Sequence, residues 1–358
     1  MRGKPKEQRT LLMVGSWEER IPEGHPIRRI KRIAEQALVG LSPTFEQMYA
    51  SSGRRSVPPE RLLKAQLLIA LYSVRSDRQF CEQLDYNLLF RWFLDLELDE
   101  ESFDPSTFSH NRERLLAHEV SAKFLAAVVQ QARSTHLLSS EHFSVDGTLI
   151  EAWASMKSFR PKGEDDDGDG NGWGDFRGER RSNETHASKT DPEARLLRKG
   201  KGRESKLCFL GHALMENRNG LLLDLQVSPA DGYAERRTGL QMLSGLARSG
   251  RITVAADRGY DTRDFVGSCR DLDITPHVAQ NTSGRRSAID GRTTRHPGYG
   301  RSQVARRKIE KIFGWLKGCA GARRTRFRGV ERTQLYVQLA AAAYNLLRLA
   351  KLMPLEST

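Results

Sequence analysis

The run Ile252 to Ala256, in RITVAADRGYDT, stops at Asp257, and Gly259 follows almost at once. A short apolar run bounded by turn residues has no polar face. It therefore suits a strand covered on both sides, as in a parallel sheet with helices above and below. Ligands of such sheets gather at strand ends, which marks Asp257 as a site residue, although an Asp beside a Gly is also ordinary turn chemistry. Asp261 or Thr262 then caps a helix running through Asp264, Phe265, Val266 and Cys269. A second strand reads from HFSVDGTLIEAW, where Phe143 and Val145 alternate with Ser144 and Asp146. Period two puts Asp146 on the face opposite the apolar pair.

A third carboxylate lies in RRKIEKIFGWLK. In one continuous helix, a step of about 100° per residue places Gln303, Arg306, Glu310, Gly314 and Lys317 on one stripe, and Ala305, Ile309, Ile312 and Leu316 about 130° away. Glu310 then faces away from the packed side with cations on either hand. Taken alone, the helix is an exposed amphipathic one carrying an Arg306–Glu310 ion pair at four-residue spacing. Taken with the two strands, Asp146, Asp257 and Glu310 make an oxygen donor set for hard Mg²⁺ or Mn²⁺. Two such ions about 3.5 to 4 Å apart can activate an attacking oxygen and stabilise a leaving one, the chemistry of phosphoryl transfer on nucleic acid.

The charge distribution agrees. The 358-residue chain has a formal net charge of +13 and a pI near 9.8, which implies an anionic partner. Between Ser283 and Arg332 stand 15 Lys and Arg against Asp290, Glu310 and Glu331, a surplus of 12. Phosphate binding depends on such local cation density, and Arg323, Arg324, Arg326 and Arg328 are its densest part. No tandem RNA-recognition pattern accompanies it. Cys81, Cys208, Cys269 and Cys319 are dispersed without a CxxC pair, so neither zinc nor a disulfide framework is indicated and a reducing cytoplasm fits. His212, His277 and His296 have no ligand spacing, and no apolar stretch reaches the length of a membrane span or a secretion signal.

These residues resemble the DDE transposases of bacterial insertion sequences, specifically the insertion-sequence-five group. The resemblance rests on DGT at Asp146, ADRGYD at Asp257, and the signature Arg, three residues, Glu, six residues, Lys, met by Arg306, Glu310 and Lys317. It extends to LVGLSPTFEQMYASSGRRSVPPERLLKAQLLIALYSVRSDRQFCEQLDYNLLFRWF, similar to the group's amino-terminal helical domain, and to GHALMENRNGLLLDLQVSPADG, similar to the strands after the first catalytic one. The signature's leading Tyr is replaced by Gln303. The resemblance implies an α/β fold with a ribonuclease H-like catalytic core behind an all-helical N-terminal domain. It further implies Asp146, Asp257 and Glu310 as metal ligands, cleavage of element ends, and joining of the freed 3′-hydroxyl to target DNA. Arg306 and Lys317 are assigned to phosphate positioning and charge stabilisation. The carboxylates and charge alone leave open a nuclease without strand transfer, or a DNA-binding descendant without catalysis.

In organisation, a polar tail over 1–24 precedes helical patterns at about 25–50, 58–74, 76–96, 104–116 and 118–137, so that 25–138 forms the helical, DNA-end-binding domain. Pro58 and Pro59 suit a helix start, and Asp104 or Ser106 a cap. The helix with Thr107, Ser109, Asn111, Arg112 and Arg114 is a candidate helix-turn-helix reader of element ends, with Asn111 and Arg112 as DNA contacts; the same residues also suit a solvated face. The catalytic core spans 139–332. Within it, 160–206, acidic and glycine-rich and then basic, reads as a flexible insertion, without the full calcium-loop pattern. QLYVQLAAAAYNLLRLAKL, in 333–358, is a final helix packing on the core. Double-stranded DNA is the expected partner, and two-ended cutting implies a homodimer or higher assembly.

Overall fold

The computed structural model describes residues 17–49, 56–162, 181–246 apart from 199, 201 and 203, and 250–353. The first sixteen residues of the expected polar tail lie outside these, as do 163–180, which hold the acidic half of the expected insertion.

Eight helices come first: α1 (Trp17–Arg20), α2 (Pro26–Val39), α3 (Ser42–Met48), α4 (Pro59–Leu71), α5 (Asp77–Leu84), α6 (Leu88–Phe93), α7 (Ser106–Ala117) and α8 (Val120–Ser134). Their starts follow local chemistry. Pro59 is the first residue of α4, and the side chains of Ser76 and Asn87 accept backbone N–H groups to open α5 and α6. Residues 17–24, expected as tail, join this domain instead: Glu18 pairs with Arg28 and accepts from Trp92 Nε1 at 2.7 Å.

The core follows with β1 (His142–Glu151), β2 (Phe159–Pro161), β3 (His186–Ser188), β4 (Arg195–Arg198), β5 (Ser205–Glu216), β6 (Leu222–Pro229), α9 (Ala234–Ser244), β7 (Ile252–Ala256), α10 (Arg263–Asp271) and β8 (Ile274–Val278). The main sheet has the order β6-β5-β1-β7-β8, with β4 also bonded to β5 beyond the end of β6. β5 is antiparallel to β1, β4 and β6, whereas β7 runs parallel to β1 and β8 parallel to β7. α9 and α10 make the crossovers into the two parallel strands, as parallel pairing requires. Three antiparallel strands followed by two parallel ones in this order are the ribonuclease H-like arrangement. The cap of α10 is Thr262.

The chain ends with α11 (Gly291–Thr294), α12 (Pro297–Ala305), α13 (Lys308–Gly318) and α14 (Val330–Leu352). The single helix expected through Gln303 and Lys317 is therefore two. The chain breaks at Arg306 and Arg307, where the turn closes through shorter-range bonds from Ile309 N to Arg306 O and from Glu310 N to Arg307 O. The reason is a pair of separate anchors. Ser302 is pinned to His142 and His277 at the strand ends, while Ile309, Ile312, Phe313 and Leu316 are buried in the larger core.

The expected flexible insertion is also corrected, outside 163–180 and residues 199, 201 and 203. Phe159–Pro161 pairs with His186–Ser188, and the basic segment supplies β4. Asn183 bonds both the N–H and the C=O of Leu196, and buried Asp191 accepts from Gly329 N. Composition hid these contacts because the partners lie far along the chain.

α14 packs on more than the catalytic core. It touches α2, α4, α7 and α8 on one side and β6 and α13 on the other, so it is buried almost all round. It also satisfies the outer edge of β6. Asn345 accepts from Leu222 N at 2.9 Å and donates to Leu222 O at 2.7 Å. Gln334 accepts from Val227 N and donates to Leu225 O. Two amides thus replace the missing neighbour strand. Asn345→Leu would strand both groups of Leu222 in the interior, so the expected loss is about 2–4 kcal/mol, read as a lower urea midpoint.

Candidate active site

Asp146 and Asp257 are brought together by the parallel pairing of β1 and β7. Ser144 lies opposite Ala255, so two residues further on Asp146 and Asp257 are level and on one face. That face is the one opposite Phe143, Val145, Val254 and Ala256, which pack with α9 and α10 in a separate apolar cluster. Each carboxylate is held locally: Asp146 Oδ1 accepts from Gly147 N at 2.8 Å, and Asp257 Oδ1 from Gly259 N at 2.7 Å. The Asp257 contact caps a single 3-10 turn, so this residue serves the turn and the site at once.

A further carboxylate near the pair, on the α9 side of the sheet, escaped the sequence reading. Glu235, in the first turn of α9, lies against β1 where Gly147 has no side chain. A Cβ at position 147 would stand 2.5 Å from Glu235 Oε1. Burial, then the negative charge of Asp257, pushes the Asp146 carboxyl up to about 7, with Glu235 adding to the rise while Gly147 N–H and Arg306 oppose it. Fully buried Tyr260 has its hydroxyl raised far above the ordinary range by burial first, then by Glu235, Asp146 and Asp257. Nothing in the sequence around Glu235 distinguishes it from an ordinary acidic residue at a helix start; its approach to β1 depends on the missing side chain of Gly147.

Glu310 is exposed on the first turn of α13 and is not among the groups that most shift Asp146. The anticipated Arg306–Glu310 pair does not form: Arg306 Nε instead donates to Gln303 Oε1 at 3.0 Å. Lys317 is half-buried in the last turn of α13. Among the described residues no three His, Cys, Asp or Glu side chains gather closely enough to hold a metal ion. The donor chemistry of the pair still fits a divalent cation, since two adjacent hard carboxylates repel each other until a cation neutralises them.

The basic segment runs beside the end of β1. Arg324 bridges to Glu151 and its guanidinium donates to the carbonyls of Ala152 and Trp153. Arg326 donates to Arg75 O and lies over the Tyr336 ring. Arg323 and Arg328 are exposed. In the helical domain the expected DNA contacts are turned inward. Asn111 is 4% exposed and donates to Thr107 O at 2.8 Å. Arg112 pairs with Asp77 at 2.9 Å and covers the Phe327 ring. The solvent face of α7 carries Ser109, His110 and Glu113 instead. Packing against the loop before α14 decides this, and helix periodicity alone does not contain it.

The raised Asp146 carboxyl has a consequence for stability without metal. The folded chain holds this proton more tightly than the unfolded chain, so stability falls as pH rises from the ordinary value of 3.8 to about 7 and the full penalty remains above that. Asp146→Asn cannot ionise. In metal-free buffer it should melt above the parent at pH 8, by about 1–3 kcal/mol, and the gap should close as pH is lowered to about 4.

Comparison with known proteins agrees with this arrangement. The model described as Transposase domain (DUF772) matches residues 15–114, and the model described as Transposase DDE domain matches residues 140–346. No curated protein matches the chain. Among solved structures, the piggyBac transposase synaptic complex with hairpin DNA is 10% identical, over 91% of this chain and 74% of that one, with a TM-score of 0.44. The pre-cleavage Mos1 transpososome is 10% identical, over 84% of this chain and 82% of that one, with a TM-score of 0.22. With its DDE domain matched from the start of β1 through most of α14, the chain belongs to the DDE transposase family.

Proposed function

We propose that this chain is the transposase of an insertion sequence of the insertion-sequence-five group. It cuts phosphodiesters at the element's ends by hydrolysis, exposing a 3′-hydroxyl that the same site then joins to target DNA. The observation that carries this reading is the pairing of Asp146 and Asp257 at one level of two parallel strands, with the half-buried cation of Arg306 beside them. Members of this family generally use divalent metal ions. Asp146 and Asp257, joined by Glu310 of the first turn of α13, would hold Mg²⁺ or Mn²⁺ here, two ions in all. When bound, such ions lower the cost of generating the nucleophile and of charge on the leaving oxygen.

The chain's own groups act on the DNA. Arg306 neutralises a phosphate oxygen beside the carboxylates, and Lys317 holds the strand further along α13. Arg323 and Arg328, exposed next to the end of β1, track the backbone of the duplex. Arg324 and Arg326 contribute less, since their guanidinium groups are committed to carbonyls and to an aromatic face. Cutting at two ends calls for a homodimer or a higher assembly on DNA. No helix among the described residues is long and apolar enough to cross a membrane.

The test is cleavage and joining on linear duplex carrying the chain's own gene with its flanking sequence. Asp257→Asn should abolish nicking with either Mg²⁺ or Mn²⁺ while DNA binding persists; a folded variant that cuts at the parent rate removes Asp257 from the mechanism. Recovery of cut ends without joined products would leave a nuclease. Replacing Arg323 and Arg328 with Gln should lower the slope of log affinity against log salt by about 1–2, since each lost phosphate contact accounts for roughly 0.9. The Arg324 and Arg326 pair, substituted in the same way, should change the slope less.

A further inference from the structure

Gln303 stands where the family signature has Tyr, and the structure shows what it does. Its Nε2 donates to His277 O at 2.6 Å, and its Oε1 accepts from Arg306 Nε at 3.0 Å. Neither role can be exchanged: a carbonyl oxygen only accepts and a guanidinium Nε only donates, so the amide has one workable orientation. The anchor it holds is rigid. His277, the penultimate residue of β8, is 7% exposed, its Nδ1 bonds Ser302 Oγ at 2.6 Å, and Ser302 Oγ in turn meets His142 Nε2 at 2.8 Å. The Tyr299 ring packs edge-on against His277, with its hydroxyl donating to Val278 O at 3.1 Å. α12 is thereby fixed at neighbouring residues, Ser302 and Gln303, to β1 and β8, the strands on either side of β7.

The effect falls on Arg306. It is half-buried at the break between α12 and α13, where its backbone is no longer held by a continuous helix. Only Nε is engaged; among the described residues neither Nη group has a hydrogen-bond or ion-pair partner. A half-buried cation with both Nη groups open, close enough to Asp146 to favour that carboxylate's charged form, is a fork awaiting an anion. Without Gln303 the side chain would be free to rotate about its long stem.

We infer that Gln303 is a positioning residue: its amide locks Arg306 Nε to the β8 end, so that the two Nη groups are presented as a preformed fork to a non-bridging oxygen of the DNA phosphate at Asp146 and Asp257. This rests on the proposed reading of the site as one that cleaves DNA. The amide thus fixes the arginine from behind.

The test is a cycle of Gln303→Met, Arg306→Lys and the double variant, with cleavage measured on the same gene-bearing duplex in Mg²⁺. Lys has no Nε, so a residue acting through that atom has nothing left to act on. Gln303→Met should lower kcat about 10- to 100-fold, the scale of a small misplacement of a reacting-centre group, with KM for DNA little changed. In the Arg306→Lys background the same change should have almost no effect. Equal losses in both backgrounds would make Gln303 a residue of the fold alone, and an unchanged rate in the single variant would remove it altogether; either overturns the inference. A readout without catalysis separates this from the function reading. Exchange of the Arg306 Nε–H in ¹⁵N spectra should be slow in the parent and at least several-fold faster in Gln303→Met, and adding a short duplex should shift that resonance only weakly in the variant. If the parent cuts no DNA the cleavage reading fails, and the exchange and titration then decide the latch by themselves; equal exchange in the two proteins refutes it.

Discussion

The burial of α14 between the N-terminal helices and the main sheet is the constraint on which the rest of the structure depends. One face of the helix closes the N-terminal helices over Leu335, Leu339 and Leu346, and another covers β6. A strand at the outer side of a sheet exposes unpaired N–H and C=O groups, which invite pairing with another chain unless covered. Covering them with an apolar helix would leave those groups unsatisfied at a cost of about 1–3 kcal/mol each. Asn345 and Gln334 resolve the conflict, each offering a donor and an acceptor at β6. One helix thus joins the helical region and the catalytic sheet into a continuous apolar core.

From that frame the site inherits its rigidity. β1 contributes Asp146 from its middle and β7 contributes Asp257 just past its end, and parallel register makes them level. α12, pinned by Ser302, holds Arg306 against this pair, and α9 sets Glu235 against Gly147. Two carboxylates and a third nearby, in partly enclosed surroundings, are unfavourable for a metal-free protein, which is why Asp146 rises to about 7. Crowded carboxylates of this kind are the chemistry that suits a divalent cation. Local instability at the site is compensated by the apolar clusters on either face of the sheet, a usual division between a functional centre and its scaffold.

Several features were legible in the sequence because they rest on local chemistry or on strict periodicity. The alternation at Phe143 to Asp146 set the face of the first carboxylate, and the run into Asp257 indicated a strand buried on both sides. Pro59 and Thr262 opened the expected helices, and the surplus of cations after Ser283 is a property of the sequence itself. The family signature added the ribonuclease H-like topology, which propensity by itself does not encode.

What only the tertiary structure decided were relations between distant segments. Helix periodicity put Gln303, Arg306 and Glu310 on one stripe, but separate anchors on α12 and α13 broke the helix at Arg306. Asn111 and Arg112 had the composition of a DNA-reading face, yet Phe327 and Asp77 draw Arg112 inward, and Asn111 is enclosed beside them. The segment after 180 has the composition of a linker, and its order comes from bonds to the chain near Gly329 and to β5. Periodicity and capping act over a few residues, so the sequence by itself determined the two strands that carry the site, several helix starts and the positions of two carboxylates. Which side chains meet across the fold, Glu235 at Gly147 and Gln303 at His277 among them, was decided by packing, because a contact between residues far apart in the chain exists only once both are held in place.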